Sequence, residues 1–300
     1  MYVITGATGN TGSVVANELL AEGQQVRVIG RNEKRLRPFA DKGAEPFVAD
    51  LTNQSGLRSA FSGAKAVYAM IPPDISQQDV LTYQSRVREA IAGALEQSAV
   101  RHVVALSSIG ADKPEGTGPV LGLRRFEQRL DSIAGLNVLH LRAGYFMENT
   151  LAQLSLIQTL GFSTGPLDPK LSLPMIATRD IGKAAADALL KLEFSGQQRR
   201  ELLGQRDLTY TEVAKIIGRA VGMPNLEYHQ ATPEQVRESL TKMGMSLNMA
   251  NLLLEMCDSL NSGYMRALEP RSPRNTTPTP YEDFVAKEFV PRYQVRPTAA

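Results

Sequence analysis

Three glycines near the start of the chain constrain its fold more than any other sequence feature. Gly6, Gly9 and Gly12 follow a short apolar stretch, residues 2–5, and precede a segment with helical periodicity, residues 13–20. Gly6 permits a tight turn, Gly9 permits a close approach of the backbone to a diphosphate, and Gly12 permits close packing of the helix on the strand. A strand, a glycine turn and a helix start in this order are typical of dinucleotide-binding folds.

Polar residues between these glycines add to the predicted phosphate site. Thr8, Asn10 and Thr11 can each offer a side-chain donor to a diphosphate. The alternative is a glycine-rich loop without a ligand. We favour the phosphate site, because the strand and the helix flank the glycines as the motif requires.

Predicted strands and helices alternate through the first half of the chain. After the first strand, further strands are predicted at residues 25–29, 45–49, 64–71, 102–106 and 137–141. Helices are predicted between them at residues 33–42, 54–61, 76–97 and 123–133. The pattern indicates the α/β class, with a doubly wound parallel sheet of the Rossmann type. The strand order should reverse between the first and fourth strands, and a ligand is expected in the crevice at that point.

The length of 300 residues suits a nucleotide-binding domain with an added lobe. We predict an NAD(P)-binding Rossmann domain at residues 1–150, with core strands that can extend to about residue 205. Residues 151–300 are predicted to form a smaller mixed C-terminal lobe for a substrate or a partner. Within it, residues 269–280 are rich in proline and polar side chains, which predicts a surface linker.

Composition excludes several classes of function. The formal net charge of +2 does not favour nucleic acid or an anionic membrane surface as a partner. No apolar run is long enough to span a bilayer, and no cleaved leader is expected. The single cysteine, Cys257, fits a reducing compartment, so a cytoplasmic location is expected. His102, His140 and His229 lie far apart without metal-ligand spacing, and no metal is expected.

The end of the second predicted strand selects the dinucleotide. NAD sites usually carry an acidic residue about 20 positions after the glycines, where it accepts from the ribose hydroxyls. This chain has Arg31 there, with Lys34 and Arg35 one helical turn away. A guanidinium can pair with a 2′-phosphate, so NADP(H) is predicted in preference to NAD(H). The alternative is that Arg31 is a solvated loop cation.

Other cofactor contacts are predicted where the strands end at the crevice. Asp50 and Leu51 end the third strand, and Asp50 can bond the adenine amino group or cap the next helix. Ile71 and Pro72 end the fourth strand and can contact a ribose, or simply terminate the strand. Ser107 ends the fifth strand, and Phe146 follows the sixth strand, where it can pack on a cofactor ring.

With these residues in hand, the sequence resembles the NmrA-like, atypical short-chain dehydrogenase/reductase family. The resemblance rests on residues 4–12, 31–32, 49–51, 107–108, 142–149 and 177–182. It implies the Rossmann fold and an NADP(H) cofactor. The family includes NADPH-dependent reductases of quinones and other compounds, and also regulators that bind NADP(H) without redox chemistry.

The chain departs from the catalytic pattern of short-chain dehydrogenases. These enzymes use a serine after the fifth strand and a Tyr-x-x-x-Lys pair on the next helix, in which the tyrosine transfers the proton. Ser107 is present, but no tyrosine lies between Ser108 and Gly144, and the only lysine there is Lys113. The following helix offers Arg124 and Arg125 instead.

The remaining catalytic candidates are Ser107, Arg124 and Tyr145. Tyr145 can line the nicotinamide pocket or substitute as a proton donor, although a partly buried ring at the lobe junction is the favoured interpretation. An ordinary ketone needs a proton at once, whereas a reduced quinone is a phenolate-like anion whose conjugate acid has a pKa of about 10. We therefore expect a reductase of quinones or similar electron-poor small molecules. The alternative is a sensor of NADP(H) that acts on a regulatory protein partner.

Overall fold

The computed structural model describes residues 1–294, in which helices cover a central sheet and a second lobe follows. The strands are β1 (Tyr2–Ile4), β2 (Val26–Gly30), β3 (Glu45–Val48), β4 (Ala66–Ala69), β5 (His102–Ser108), β6 (Asn137–Ala143), β7 (Tyr145–Phe146), β8 (Ser163–Gly165), β9 (Leu173–Ile176), β10 (Gln197–Leu202), β11 (Asp207–Leu208) and β12 (Tyr228–Gln230). The helices are α1 (Asn10–Ala21), α2 (Glu33–Ala40), α3 (Gln54–Phe61), α4 (Val80–Glu96), α5 (Val120–Asp131), α6 (Gln153–Leu160), α7 (Thr178–Lys191), α8 (Tyr210–Ala220), α9 (Pro233–Lys242), α10 (Leu247–Asn261), α11 (Tyr281–Phe284) and α12 (Val290–Gln294). The structure also contains a 3₁₀ helix at Met147–Ala152 and a π-helical turn at Val285–Phe289.

The central sheet has seven strands in the order β10–β6–β5–β4–β1–β2–β3. Every adjacent pair in it is parallel. The order reverses between β1 and β4, which confirms the predicted doubly wound arrangement. The carboxyl ends of these strands therefore frame the predicted crevice.

Two apolar cores cover the two faces of this sheet. On one face, α1, α2 and α7 contribute side chains such as Leu19, Leu36 and Leu189. On the other face, α3, α4 and α5 contribute side chains such as Phe61 and Ile91. Because both faces are covered, the strands carry apolar residues almost continuously, which is why they were recognisable in the sequence.

The chain returns to the central sheet after it first enters the second lobe. Helix α7 packs on α1 so closely that a Cβ on Gly182 would lie 2.5 Å from the Cβ of Val14. Strand β10 then pairs with β6 as a seventh strand at the sheet edge. The division at about residue 150, with core strands that extend to about residue 205, stays a prediction.

The second lobe has its own apolar core and two small sheets, ordered β11–β9–β7 and β12–β8. The predicted surface linker at residues 269–280 has irregular backbone and many exposed residues, but it also buries the side chains of Asn275, Thr277 and Thr279. Asn275 is fully buried, and Thr279 is 4% exposed. The Thr279 hydroxyl donates to Asp180 over 2.6 Å. Asn275 and Thr279 find hydrogen-bond partners inside the molecule, so the composition of the segment predicted its irregular backbone but not these buried contacts.

Two helix predictions needed correction at their ends. The predicted helix 76–97 begins only at Val80, because the Asp79 side chain accepts from the backbone N–H of Thr82 and caps it. The predicted helix 123–133 runs instead from Val120 to Asp131.

Among the described residues, no helix has the length and apolar character needed to cross a membrane.

Candidate functional site

The glycine turn between β1 and α1 forms a closed cradle. Gly6 has a φ of +61°, and the Gly9 N–H donates to the Gly6 carbonyl over 2.9 Å. A Cβ on Gly12 would lie 2.3 Å from the same Gly6 oxygen. Helix α1 begins at Asn10, so the N–H groups of its first turn have no acceptor within the helix. This arrangement fits a diphosphate, which would accept those N–H groups at the positive end of the helix dipole.

The polar residues of the turn divide between the surface and the core. Asn10 is exposed and Thr8 is half-buried beside it. Thr11 is only 4% exposed, and its hydroxyl accepts from the Tyr68 hydroxyl over 2.9 Å. Thr11 can therefore offer a diphosphate its backbone N–H. Its side chain lies in the core, although the sequence predicted a side-chain donor to the diphosphate.

The start of α2 brings basic side chains to the edge of this turn. The Asn32 side chain caps the helix by accepting from the Arg35 N–H over 3.4 Å. The Arg35 guanidinium donates to the Thr8 carbonyl over 3.1 Å, which ties α2 to the glycine turn. Arg31 and Lys34 are exposed in the same region. These three cations surround the place where the 2′-phosphate of a bound NADP(H) is predicted.

Two carboxylates lie close to Arg31. Burial alone would raise the pKa of Asp50, but hydrogen bonds from Thr52 and the Arg31 charge outweigh it and hold that pKa below its ordinary value. Hydrogen bonds from the Gln77 and Ser76 side chains, helped by the Arg31 charge, lower the pKa of Asp74. Asp74 was not recognised in the sequence, because it lies in the loop after β4 and only the fold brings it to the end of β2.

Asp50 forms a turn with Thr52 and does not cap the next helix. Its Oδ1 accepts from the Thr52 N–H over 2.8 Å and from the Thr52 hydroxyl over 2.7 Å. Asn53 caps α3 instead, by accepting from the Gly56 N–H. The capping interpretation of Asp50 is therefore wrong, and its contact with adenine stays a prediction.

The predicted apolar contacts lie at the strand ends, as the topology requires. Leu51 and Ile71 are buried in the core on the α3–α4 face of the sheet. Pro72 is half-buried where the chain leaves β4. Phe146 is half-buried and packs against the core on the opposite face. Their contacts with a cofactor stay predictions.

Ser107 belongs to a buried polar triad with Glu127 and Arg142. Its side chain is 3% exposed, and its hydroxyl donates to Glu127 Oε1 over 2.5 Å. Arg142 donates to both Glu127 oxygens, over 2.9 Å from Nε and 2.7 Å from Nη2. Burial would lower the pKa of Arg142, but its bonds to Glu127 outweigh burial and raise that pKa. The Ser107 proton is thus held by a carboxylate and is not directed at the crevice.

The other two catalytic candidates are also engaged inside the protein. Arg124 Nη1 donates to the carbonyls of Ala111 and Asp112, over 3.3 and 2.8 Å, and so holds the loop that follows β5. The Tyr145 hydroxyl lies 2.9 Å from the Tyr210 hydroxyl. Burial raises the pKa of Tyr145 to about 12, which makes it a weaker acid than free tyrosine. This geometry agrees with a partly buried ring at the lobe junction.

Replacement of Ser107 by alanine tests whether the triad serves structure or chemistry. We expect Ser107→Ala to lower the free energy of unfolding by about 1.5–3 kcal/mol, because one buried hydrogen bond to a charged group is lost. Cofactor affinity and turnover should change less than about threefold, since the hydroxyl donates to Glu127 and not to a ligand. Chemical unfolding and direct binding measurements check the two effects. A large loss of turnover at unchanged stability would instead make Ser107 a catalytic residue.

Comparison with protein families gives a match along most of the chain. The model of the NmrA-like family matches residues 2–284. An NAD(P)H azoreductase of Xenophilus azovorans is 28% identical over 281 residues, which cover 92% of this chain and 93% of that protein. A nitrogen metabolite regulation-like protein of Gibberella fujikuroi is 26% identical, with 97% of each chain covered.

Comparison with solved structures supports the fold. The NADPH-dependent quinone oxidoreductase of Escherichia coli, solved as a complex with NADPH, superposes with a TM-score of 0.81 at 22% identity. The match covers 96% of this chain and all of that one. At this level of identity, the likeness establishes a shared Rossmann fold with an added lobe.

Proposed function

The chain belongs to the NmrA-like family, and from that premise we propose that it is an NADPH-dependent reductase of quinones or similar small electron-poor carbonyl compounds. The observation that carries the proposal is the glycine cradle with its basic edge. A diphosphate fits the N–H groups at the start of α1, and the guanidinium of Arg31 lies at the ribose end. The acceptor would occupy the crevice between the strand ends and the C-terminal lobe.

The basic edge favours NADP(H) over NAD(H). Arg31, Lys34 and Arg35 can surround a 2′-phosphate, and Arg35 is already oriented by its bond to Thr8. The site has no acidic residue at position 31 to accept both ribose hydroxyls. Asp50 and Asp74 lie near enough to Arg31 to feel its charge, and their own charges can attract its side chain.

The crevice suits an acceptor that needs no protein acid. The bound NADPH would supply a hydride, that is, a proton and two electrons. A quinone that takes up this hydride becomes a hydroquinone monoanion, which then gains one proton from water. Ser107 donates to Glu127, Arg124 bonds two backbone carbonyls, and burial makes Tyr145 a weaker acid than free tyrosine, so none of the three is a ready proton donor for the crevice. An unactivated ketone would form a much stronger base and is a poor substrate for such a site.

The names of relatives agree with this chemistry. An azoreductase and a quinone oxidoreductase both act on electron-poor acceptors, and both names include NADPH or NAD(P)H. They support the proposal for the general class of reaction. The acceptor itself must come from experiment.

A panel of acceptors tests the proposed reaction. We expect the purified protein to oxidise NADPH with a small quinone and to show no measurable turnover with an unactivated ketone, because hydride transfer to a quinone leaves a much weaker base, with a conjugate-acid pKa of about 10, than the alkoxide left by a ketone. An azo dye makes a useful third acceptor. Loss of NADPH absorbance measures the rate, and equal rates for quinone and ketone would refute the argument from proton demand.

A second function is favoured by the missing Tyr-x-x-x-Lys pair and by the relative named as a regulation-like protein. On this alternative, the chain senses NADP(H) and signals to a protein partner. Tight NADPH binding without turnover of any acceptor, together with different affinities for NADPH and NADP⁺, would establish it over the reductase.

A further inference from the structure

Helix α10 of the C-terminal lobe reaches across to the loop that follows β4, residues 70–79. The Ser246 N–H donates to the Ile75 carbonyl over 2.8 Å, and the Ser246 hydroxyl donates to the Gln77 carbonyl over 2.6 Å. Asn248 Oδ1 accepts from the Val80 N–H over 3.0 Å. We call Ser246 and Asn248, with these bonds, the latch.

The latched loop belongs to the proposed dinucleotide site. It begins beside Ile71 and Pro72, which are predicted to contact a ribose of the bound dinucleotide. It also carries Asp74, which lies close enough to Arg31 for the guanidinium to lower its pKa. The position of this loop would therefore affect both the predicted ribose contacts and the charges around Arg31.

The loop that the latch holds has no buried side chain between residues 73 and 79, whereas Val80 and Met249 beside the latch are buried. Ile75, Met243 and Leu247 surround the latch, and they are 46%, 59% and 56% exposed. Helix α9, which leads into the latch, has no buried residue. Segments with few buried apolar contacts open at a low free energy, so small changes in the latch should alter how long the loop stays in place.

Asn248 fills a specific need at the start of α4. The first N–H groups of a helix have no acceptor within the helix, and Asp79 serves only the Thr82 N–H and hydroxyl. The side chain of Asn248, 168 positions further along the chain, serves the Val80 N–H. The lobe thus completes the cap of a helix that belongs to the central sheet domain.

We propose that Asn248 and Ser246 are positioning residues of the dinucleotide site: they hold the loop after β4 in its binding position and thereby slow the release of NADPH. This inference rests on the proposed function, because it assumes that NADPH binds at the glycine cradle. Neither residue needs to touch the cofactor. Their effect passes through the position of the loop, which carries Ile71, Pro72 and Asp74.

Three asparagine variants test the proposal. Asn248→Ala removes the acceptor, and we expect NADPH to dissociate about fivefold faster, which corresponds to one hydrogen bond. Asn248→Asp replaces the amide oxygen with a carboxylate oxygen that can still accept from the Val80 N–H. The release rate of NADPH in this variant should stay within about twofold of the original rate. Asn251→Ala is the matched control, because Asn251 lies one turn on in α10 and bonds Arg237 within the lobe.

Stopped-flow displacement of NADPH measures the release rates, and hydrogen exchange of residues 74–80 in the chain without cofactor measures the loop directly. Faster exchange and faster release in Asn248→Ala alone would support the proposal. Equal release rates for Asn248→Ala and Asn251→Ala would overturn it while leaving the proposed function intact. If the unaltered chain bound no NADPH, both the proposed function and this inference would fall.

Discussion

Replacement of Gly12 by alanine is expected to weaken NADPH binding by about 100-fold or more. The added Cβ would lie 2.3 Å from the Gly6 carbonyl oxygen and 2.7 Å from its carbon, so α1 must move away from the turn. Such overpacking costs about 1–3 kcal/mol, and each lost N–H contact to a charged phosphate costs about 1.5–3 kcal/mol. The overpacking cost lowers the stability of the free and the bound chain alike, whereas the loss of two N–H contacts, about 3 kcal/mol or more, exceeds two factors of ten in affinity.

Isothermal titration with NADPH measures this loss, and thermal unfolding shows whether the variant still folds. Asn17→Ala is the control, since Asn17 lies further along α1 and bonds Ser13 and Lys42, away from the cradle. It should bind NADPH like the original chain. If Gly12→Ala also bound NADPH normally, the diphosphate would have to lie elsewhere.

Replacement of Arg31 by aspartate is expected to reverse the choice of dinucleotide. NADPH affinity should fall about 100-fold, because a charge-assisted bond to the 2′-phosphate worth about 1.5–3 kcal/mol is lost and a repulsive carboxylate replaces it. NADH affinity should stay the same or rise, since an acidic residue here can accept from the ribose hydroxyls. The ratio of the two dissociation constants is the measurement.

Arg58→Asp makes an equal change of charge on α3, outside the predicted dinucleotide contacts. Arg58 donates to Gln97 at the end of α4, so this control should leave the ratio unchanged. An equal loss of affinity for NADPH and NADH in Arg31→Asp would contradict the phosphate contact. Arg31 would then serve mainly to neutralise Asp50 and Asp74.

The sequence predicted the sheet domain well because its signals are local. Glycines at positions 6, 9 and 12 must be small for steric reasons that involve only the turn itself and the first helix. Buried parallel strands show as short apolar runs between helices, and the order of those runs predicts a doubly wound sheet. The family resemblance rested on the same local motifs, and the family match agrees with it.

The catalytic candidates were harder to judge, because a side chain's partner depends on the fold. The sequence predicts a free hydroxyl for Ser107 at the end of a strand. In the structure, α5 places Glu127 beside that hydroxyl, and β6 places Arg142 beside Glu127. A glutamate on a helix ordinarily predicts a solvated face. The apolar residues Phe126 and Leu130, four positions apart, are the sequence signal that one face of this part of α5 is buried.

By itself, the sequence determined the glycine cradle, the cation at the end of β2 and the alternation of strands and helices, since each depends on residues that are close along the chain. Tertiary structure alone decided which polar groups are free to act. It paired Ser107 with Glu127, paired Thr279 with Asp180, and brought Asn248 to the first N–H of α4. Buried polar groups must find partners, and those partners come from any part of the chain that packing brings near.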